Sequence, residues 1–370
     1  MLNEVNSPSE RMDNTHRPKF DINDKTGMVS GYCTIPWYNI ELTNDGNIYN
    51  CNCMGKVKRA IGNILDVNTA AEFITLLNNN VFKDSILDGS YRYCRALVCS
   101  PLENNMLKIK ELDFVESITD LDKFKSQSLN ISLNIDNSCN LKCPSCRNDV
   151  IIHKNNKEYM MTKRILEQLG SVILPAIDYR ADITLSSGGE LFASPAFMEW
   201  IFNFDLTLHP NIKFIFMTNA TLLAKNEAFL RKIEKNISAF YISIDAATEE
   251  TYSKTRINGK WDDLLKGLDL VKDLYKNNID LERKSLFHYC ISSLNFHEIN
   301  SFVEFAKAYG NGKVSFQRIE RWGQNDQQWQ AMNVFAPTHT KYNDLLDEVR
   351  NFDFDNKLVI SNLHYLRNSL

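Results

Sequence analysis

The stretch that decides the fold is Leu129-Asn130-Ile131-Ser132-Leu133-Asn134-Ile135-Asp136, followed by Asn137-Ser138 and then Cys139-Asn140-Leu141-Lys142-Cys143-Pro144-Ser145-Cys146. In the first eight residues apolar and polar side chains alternate strictly, which predicts a strand with one apolar and one polar face. The cysteines that follow are spaced C-x3-C-x2-C, on a loop leaving the C-terminal end of that strand. Open α/β sheets place their ligands at that end. Zinc sites usually take paired C-x2-C ligands and need four protein donors. Three thiolates in one tight loop can instead hold three corners of a [4Fe-4S] cube and leave the fourth iron open. A zinc or purely structural loop is the alternative reading.

Working outward, the chain has 370 residues, long enough for two or three domains. Its 44% hydrophobic content provides for a large core and excludes global disorder. Lys and Arg total 42 against 46 Asp and Glu, for a net charge of −4, so no phosphate-binding face and no nucleic acid partner are expected. No run approaches 18 apolar residues, and Met1–Lys19 lacks the apolar core of a secretory signal. Neither a membrane span nor export is therefore expected, and the chain reads as cytoplasmic. Nine cysteines stand out. The count is odd and the compartment reducing, which disfavours a disulfide framework. They fall as Cys33, Cys51, Cys53, Cys94 and Cys99, then the triplet, then Cys290 alone; such clustering points to metal or cluster ligation.

Further along, Ile183-Thr184-Leu185-Ser186-Ser187-Gly188-Gly189-Glu190 reads as a strand running into Gly-Gly-Glu. Phe214–Asn219 and Phe240–Asp245 are two more strands, the second ending Ser243-Ile244-Asp245, with Thr248-Glu249-Glu250-Thr251-Tyr252 and Arg256 beyond. Together with the cysteine triplet, this order resembles the radical S-adenosylmethionine (SAM) enzymes over roughly 129–320. The resemblance implies that Cys139, Cys143 and Cys146 ligate a [4Fe-4S] cluster with SAM on the open iron. It implies that Gly188, Gly189 and Glu190 meet the SAM amino group, that Ser243 and Asp245 lie near the ribose, and that Arg256 lies near the SAM carboxylate. Two positions depart from the family pattern. Leu191 stands where Pro often follows Gly-Gly-Glu, and Ser145 stands where an aromatic residue often packs near adenine.

Patterning predicts strands near 129–136, 182–187, 213–218, 239–245, 286–292 and 313–319, with helices near 161–174, 194–204, 225–235, 261–277 and 297–309. The residues alone read as an open parallel α/β sheet. Six units are too few for a closed eight-fold barrel; with the resemblance, they become a partial (β/α)6 radical SAM barrel over 129–335. A flexible arm at 1–30, a cysteine-rich domain at 31–105, a linker at 106–128 and a capping tail at 336–370 complete the expected organisation.

The first cysteine group accompanies Pro36-Trp37, the hairpin signal Asn44-Asp45-Gly46 and Ile61-Gly62-Asn63-Ile64, with a helix near 69–79. This resembles a SPASM or twitch domain, which implies an auxiliary [4Fe-4S] cluster on Cys33, Cys51, Cys94 and Cys99. Cys53 is the spare, and Cys51 and Cys53, two apart on a strand, are interchangeable at this level. A zinc ribbon is the other reading.

In Phe287-His288-Tyr289-Cys290-Ile291-Ser292 the alternation puts His288, Cys290 and Ser292 on one face. If that face looks into the barrel, Cys290 is a candidate hydrogen donor to a substrate radical, which would make the reaction an epimerisation; a buried core cysteine is the plain alternative. The resemblance implies a 5′-deoxyadenosyl radical abstracting hydrogen from a small polar substrate, a sugar or natural-product intermediate, and an external electron donor such as flavodoxin or ferredoxin. A peptide-modifying enzyme, a dehydrogenase and a non-catalytic iron–sulfur scaffold are the competing functions.

Overall fold

The computed structural model describes residues 33–51, 57, 59–78, 81–87, 90–94, 99, 128–185, 188–353, 356–361, 363 and 366, and the backbone of 22–23 and 28–29. Two short strands, β1 (Ile22–Asn23) and β2 (Met28–Val29), pair antiparallel within the expected N-terminal arm.

The main sheet has ten strands among the described residues. They are β3 (Asn39–Thr43), β4 (Asn47–Tyr49), β5 (Gly62–Asn63), β6 (Leu129–Asn134), β7 (Ala181–Leu185), β8 (Ile212–Thr218), β9 (Ile237–Ser243), β10 (Leu286–Ile291), β11 (Val314–Arg318) and β12 (Val359–Ser361). Their order is β12-β11-β10-β9-β8-β7-β6-β3-β4-β5, and every pairing along the row from β12 to β3 is parallel. From β6 to β12 the spatial order follows the chain order. Right-handed crossovers then send the connecting helices to one face and leave the other to the loops at the strand ends. The outer strands β5 and β12 do not pair with each other, so the sheet is open.

The alternation read in the sequence recurs in β6, where Leu129, Ile131 and Leu133 are buried and Asn130, Ser132 and Asn134 are half-buried. In β10 the buried face is Phe287, Tyr289 and Ile291; Tyr289 packs on Phe302 of the following helix with centroids 4.5 Å apart. His288 and Cys290 therefore lie on the face away from that helix.

The early elements include α1 (Ile35–Tyr38), α2 (Ala70–Asn78) and α3 (Val81–Leu87). The helices between strands are α4 (Lys157–Gln168), α5 (Pro195–Asn203), α6 (Glu227–Lys232), α7 (Glu249–Thr255), α8 (Trp261–Tyr275), α9 (Ile279–Lys284) and α10 (Ile299–Tyr309). Then come α11 (Asp326–Met332) and α12 (Tyr342–Arg350). Helix α4 starts four residues before the expected 161, because the Asn156 side chain caps the Tyr159 N–H. Its expected last turn widens into a π-turn over Leu169–Ile173 and gives way to a tighter 3₁₀ turn, Leu174–Ala176, that carries Pro175 near its start. Helices α7, α9 and α11 answer to no sequence expectation; at six or seven residues each they carry too little apolar periodicity to be read.

Two findings alter the expected organisation. First, the sheet runs across the boundary drawn between 31–105 and 129–335. Strand β3 lies parallel to β6 from Asn39 opposite Asn130 to Thr43 opposite Asn134, and Ile40, Leu42 and Ile48 belong to the same core as Leu129, Ile131 and Leu133. The predicted turn at Asn44-Asp45-Gly46 joins β3 to antiparallel β4. Gly46 there has φ +82°, and a Cβ would stand 2.7 Å from the Asn63 amide oxygen, so only glycine fits. Second, the tail adds β12 to the sheet, Val359 opposite Val314, and does more than cap it. The expected linker 106–128 lies outside the described residues except for Ser128.

A smaller second core of Trp37, Val57, Phe82, Ile86 and Tyr91 sits beside the first. Among the described residues no helix is long and apolar enough to cross a membrane.

Candidate functional site

The cysteine loop leaves β6 through Asp136, whose carboxylate accepts from the Ser138 N–H at 2.7 Å and from the Ser194 hydroxyl at the start of α5. Cys139 and Ile151 then pair in an antiparallel bridge that closes the loop into a ring. Inside the ring the Cys146 N–H donates to the Cys143 carbonyl at 2.9 Å. Cys139 and Cys143 are buried and Cys146 is exposed.

Burial pushes the Cys139 thiol up to about 11 and raises that of Cys143, opposed by the Leu141 N–H and Arg147 for the first and by Arg256 for the second. Such thiols ionise when a metal takes them as ligands. Among the described residues no three His, Cys, Asp or Glu side chains converge closely enough for a single metal ion. Three cysteines on one eight-residue loop, flanked by Arg147 and Arg256, instead suit the larger anionic [4Fe-4S] group that the radical SAM family implies.

Gly188 and Gly189 lie against this loop. A Cβ on Gly188 would stand 2.2 Å from the Asn134 amide oxygen, and one on Gly189 would stand 2.4 Å from the Ser138 carbonyl. The glycines are thus demanded by the approach of the two loops to each other. The Glu190 N–H donates to the Ser138 carbonyl at 2.8 Å. Its carboxylate turns inward, fully buried: the Thr218 hydroxyl lies 3.0 Å from each oxygen, and the Asn219 N–H donates at 2.7 Å. Burial drives the carboxyl up to about 7 despite these donors. So Glu190, read as a partner for the SAM ammonium, orders the end of β8, and the half-buried backbone of Gly188 and Gly189 is what the motif exposes. Ser186 and Ser187 lie outside the described residues.

Ser243, half-buried, ends β9 opposite His288. Asp245 and Arg256 pair with each other: Nη2 of Arg256 is 2.8 Å from the carboxylate, with the arginine side chain 12% and the aspartate 5% exposed. Arg256 also donates from Nη1 to the Cys143 sulfur at 3.6 Å. The second Asp245 oxygen accepts the Cys290 N–H at 2.7 Å. Cys290 is half-buried, and burial, with Asp245 next, raises its thiol far above its usual range, so it stays S–H.

Three groups escaped the sequence reading. Arg147 donates to the Asn137 carbonyl and, at 2.9 Å, to that of Gly188, tying the cysteine loop to the glycines; its place directly after Cys146 was the available signal. The Asn219 amide donates to Asn140 at 3.0 Å and points at the Cys139 sulfur, 4.0 Å away. Gln324, beyond β11, donates to the Pro144 carbonyl at 3.2 Å. It helps shape a cleft of about 270 Å³ whose walls include Cys146, Arg147 and Trp322.

The described N-terminal cysteines lie along the smaller core. Cys33, Cys51, Cys94 and Cys99, all half-buried, border the second core. The Cys33 N–H donates to the Tyr91 hydroxyl at 3.1 Å, and the Cys94 N–H donates to the Tyr91 carbonyl at 2.9 Å. Cys51 stands just past β4, not within a strand, and Cys53 lies outside the described residues.

A family model described as the Radical SAM superfamily matches residues 133–306. No curated protein matches the chain. Among solved structures, a polyhistidine-tagged anSMEcpe with bound AdoMet is 18% identical over 64% of this chain and 61% of that one, with a TM-score of 0.39. The chain thus spans less than two thirds of that protein's length. Streptococcus suis SuiB bound to its precursor peptide SuiA is 16% identical over 89% of this chain and 73% of that one, also with a TM-score of 0.39.

Proposed function

We propose that this chain, which carries a radical SAM domain over 133–306, is an enzyme whose Cys139, Cys143 and Cys146 hold a [4Fe-4S] cluster with SAM on the open iron. The observation that carries this reading is the closed cysteine ring at the end of β6, with Arg256 3.6 Å from the Cys143 sulfur. When bound, the cluster and SAM supply a 5′-deoxyadenosyl radical that abstracts hydrogen from an unactivated C–H bond. The protein holds the ring rigid through Asp136, Ile151 and Gln324, and brings Gly188 and Gly189 against it. It presents His288 and Cys290 on the loop-facing side of β10. The sheet is read as an open (β/α)6 barrel extended at both edges.

The substrate is read as a small polar molecule, a sugar or natural-product intermediate; a peptide is the alternative. Electrons come from a flavodoxin- or ferredoxin-type donor. Cys33, Cys51, Cys94 and Cys99 are read as ligands of an auxiliary [4Fe-4S] cluster in a SPASM- or twitch-like segment, a reading supported by all four packing against the small core that holds Trp37 and Tyr91.

After anaerobic reconstitution, wild-type protein with dithionite and SAM is expected to release 5′-deoxyadenosine, and Cys143→Ala to lose that release. Continued turnover by the variant would remove the assignment.

Epimerisation has one observation in its favour: Cys290 lies half-buried on the face of β10 away from α10, its backbone N–H held by Asp245. The thiol would return a hydrogen atom to the substrate radical, and one electron from the external donor with one proton from solvent would restore it. In deuterium oxide the product should carry solvent deuterium with wild-type protein and lose that label with Cys290→Ala. Undiminished label in the variant rejects the donor role.

A further inference from the structure

We propose that the buried Asp245–Arg256 pair sets the reduction potential of the cluster on Cys139, Cys143 and Cys146 by keeping one guanidinium nitrogen against the Cys143 sulfur. The inference rests on the cluster reading above and gives both residues a different task from the ribose and carboxylate contacts expected of them.

All three guanidinium nitrogens have fixed partners. Nε donates to the Ile244 carbonyl at 3.2 Å, Nη2 meets the Asp245 carboxylate at 2.8 Å, and Nη1 donates to the Cys143 sulfur at 3.6 Å. The planar fork of arginine makes these contacts together, which the single ammonium of lysine cannot.

Asp245 is held as firmly. Its other oxygen takes the Cys290 N–H at 2.7 Å, and its carbonyl takes the Asn295 side-chain amide at 3.0 Å. Its backbone sits at φ +61°, a left-handed conformation that is uncommon outside glycine and that aspartate tolerates better than most residues. A chain of contacts therefore runs from the loop-facing strand β10 through Asp245 and Arg256 to a cluster cysteine.

Hydrogen bonds to ligand sulfur and nearby charge are what move a cluster's potential. Reduction adds a negative charge, so a cation beside the sulfur favours it and an anion opposes it. Both side chains are almost excluded from water, so their fields are weakly screened. Asp245 is then a positioning residue: it fixes Arg256 and offsets part of its charge.

The test is an EPR-monitored redox titration of the anaerobically reconstituted full-length protein. Asp245→Asn keeps the shape and an acceptor for Cys290 but leaves the arginine charge unopposed, so the midpoint potential should shift positive. Arg256→Gln removes the N–H···S contact and leaves the aspartate charge, so it should shift negative. Arg256→Lys should fall between Arg256→Gln and wild type, an ordering that stands even if Asp245→Asn fails to fold. Shifts of the same sign in Asp245→Asn and Arg256→Gln, or wild-type potentials in loaded Arg256→Gln, overturn the proposal. Wild-type protein that takes up no iron defeats the cluster reading itself and this inference with it, and the iron assay shows that before any titration.

Discussion

His288 lies half-buried on the loop-facing side of β10, edge-on to Tyr241 with centroids 5.9 Å apart. Burial, with Arg256 adding to it, lowers its pKa from 6.5 to about 4. The folded protein thus keeps this imidazole neutral where the unfolded chain protonates it. The resulting stabilisation is complete above the unfolded value of 6.5 and is lost as pH falls through 4. At about 1.4 kcal/mol per unit, up to about 3 kcal/mol is at stake. Denaturant unfolding of the cluster-free protein between pH 7 and 4 should show a steeper loss of stability in wild type than in His288→Gln; parallel curves would show that His288 does not titrate this way. A histidine's presence is plain in a sequence, but its ionisation depends on neighbours such as Arg256, 32 positions away. The same holds for Glu190, whose inward turn toward Thr218 and Asn219 no local pattern announces.

Strand β3 shows the limit of legibility one scale up. Its hairpin with β4 was readable from Asn44-Asp45-Gly46, because a tight turn is a local event. Its pairing with β6 was not, because parallel register is decided by partners far away in the chain. The strands from β6 to β11 were recovered within a few residues, since period-two alternation and buried apolar runs are also local. Ile40 of β3 is 1% exposed in the main core. Ile40→Ala should cost about 2–5 kcal/mol. Because that core is continuous, the loss should lower a single unfolding midpoint seen alike by far-UV circular dichroism and tryptophan fluorescence. Two separated transitions, with only the first moved, would mean that the early segment folds as a unit of its own.

For the molecule as a whole, seven of the described cysteines lie in two settings: a closed ring at the end of β6 and the border of a satellite core around Trp37 and Tyr91. Loaded wild-type protein is therefore expected to contain about eight irons, as two [4Fe-4S] groups, and a Cys33→Ala/Cys94→Ala double variant about four. Equal iron in both would leave the satellite cysteines without a cluster. The spacing C-x3-C-x2-C made the first setting legible from eight consecutive residues. The second is spread over 33–99, where links such as the Cys33 N–H to the Tyr91 hydroxyl join residues 58 positions apart that no local pattern pairs.

The pairing of Asn39–Thr43 with Asn130–Asn134 also has a consequence for synthesis. The two strands leave the ribosome roughly 90 residues apart, which at about 5–20 residues per second is on the order of 5–20 seconds. For that interval β3 has no β6 to pair with, although its turn to β4 can already close. Ile40 and Leu42, destined for the shared core, wait in water beside Cys33 and Cys51. Capture of nascent chains by a holding chaperone should therefore peak before β6 emerges and fall once β3 has that strand to pair with.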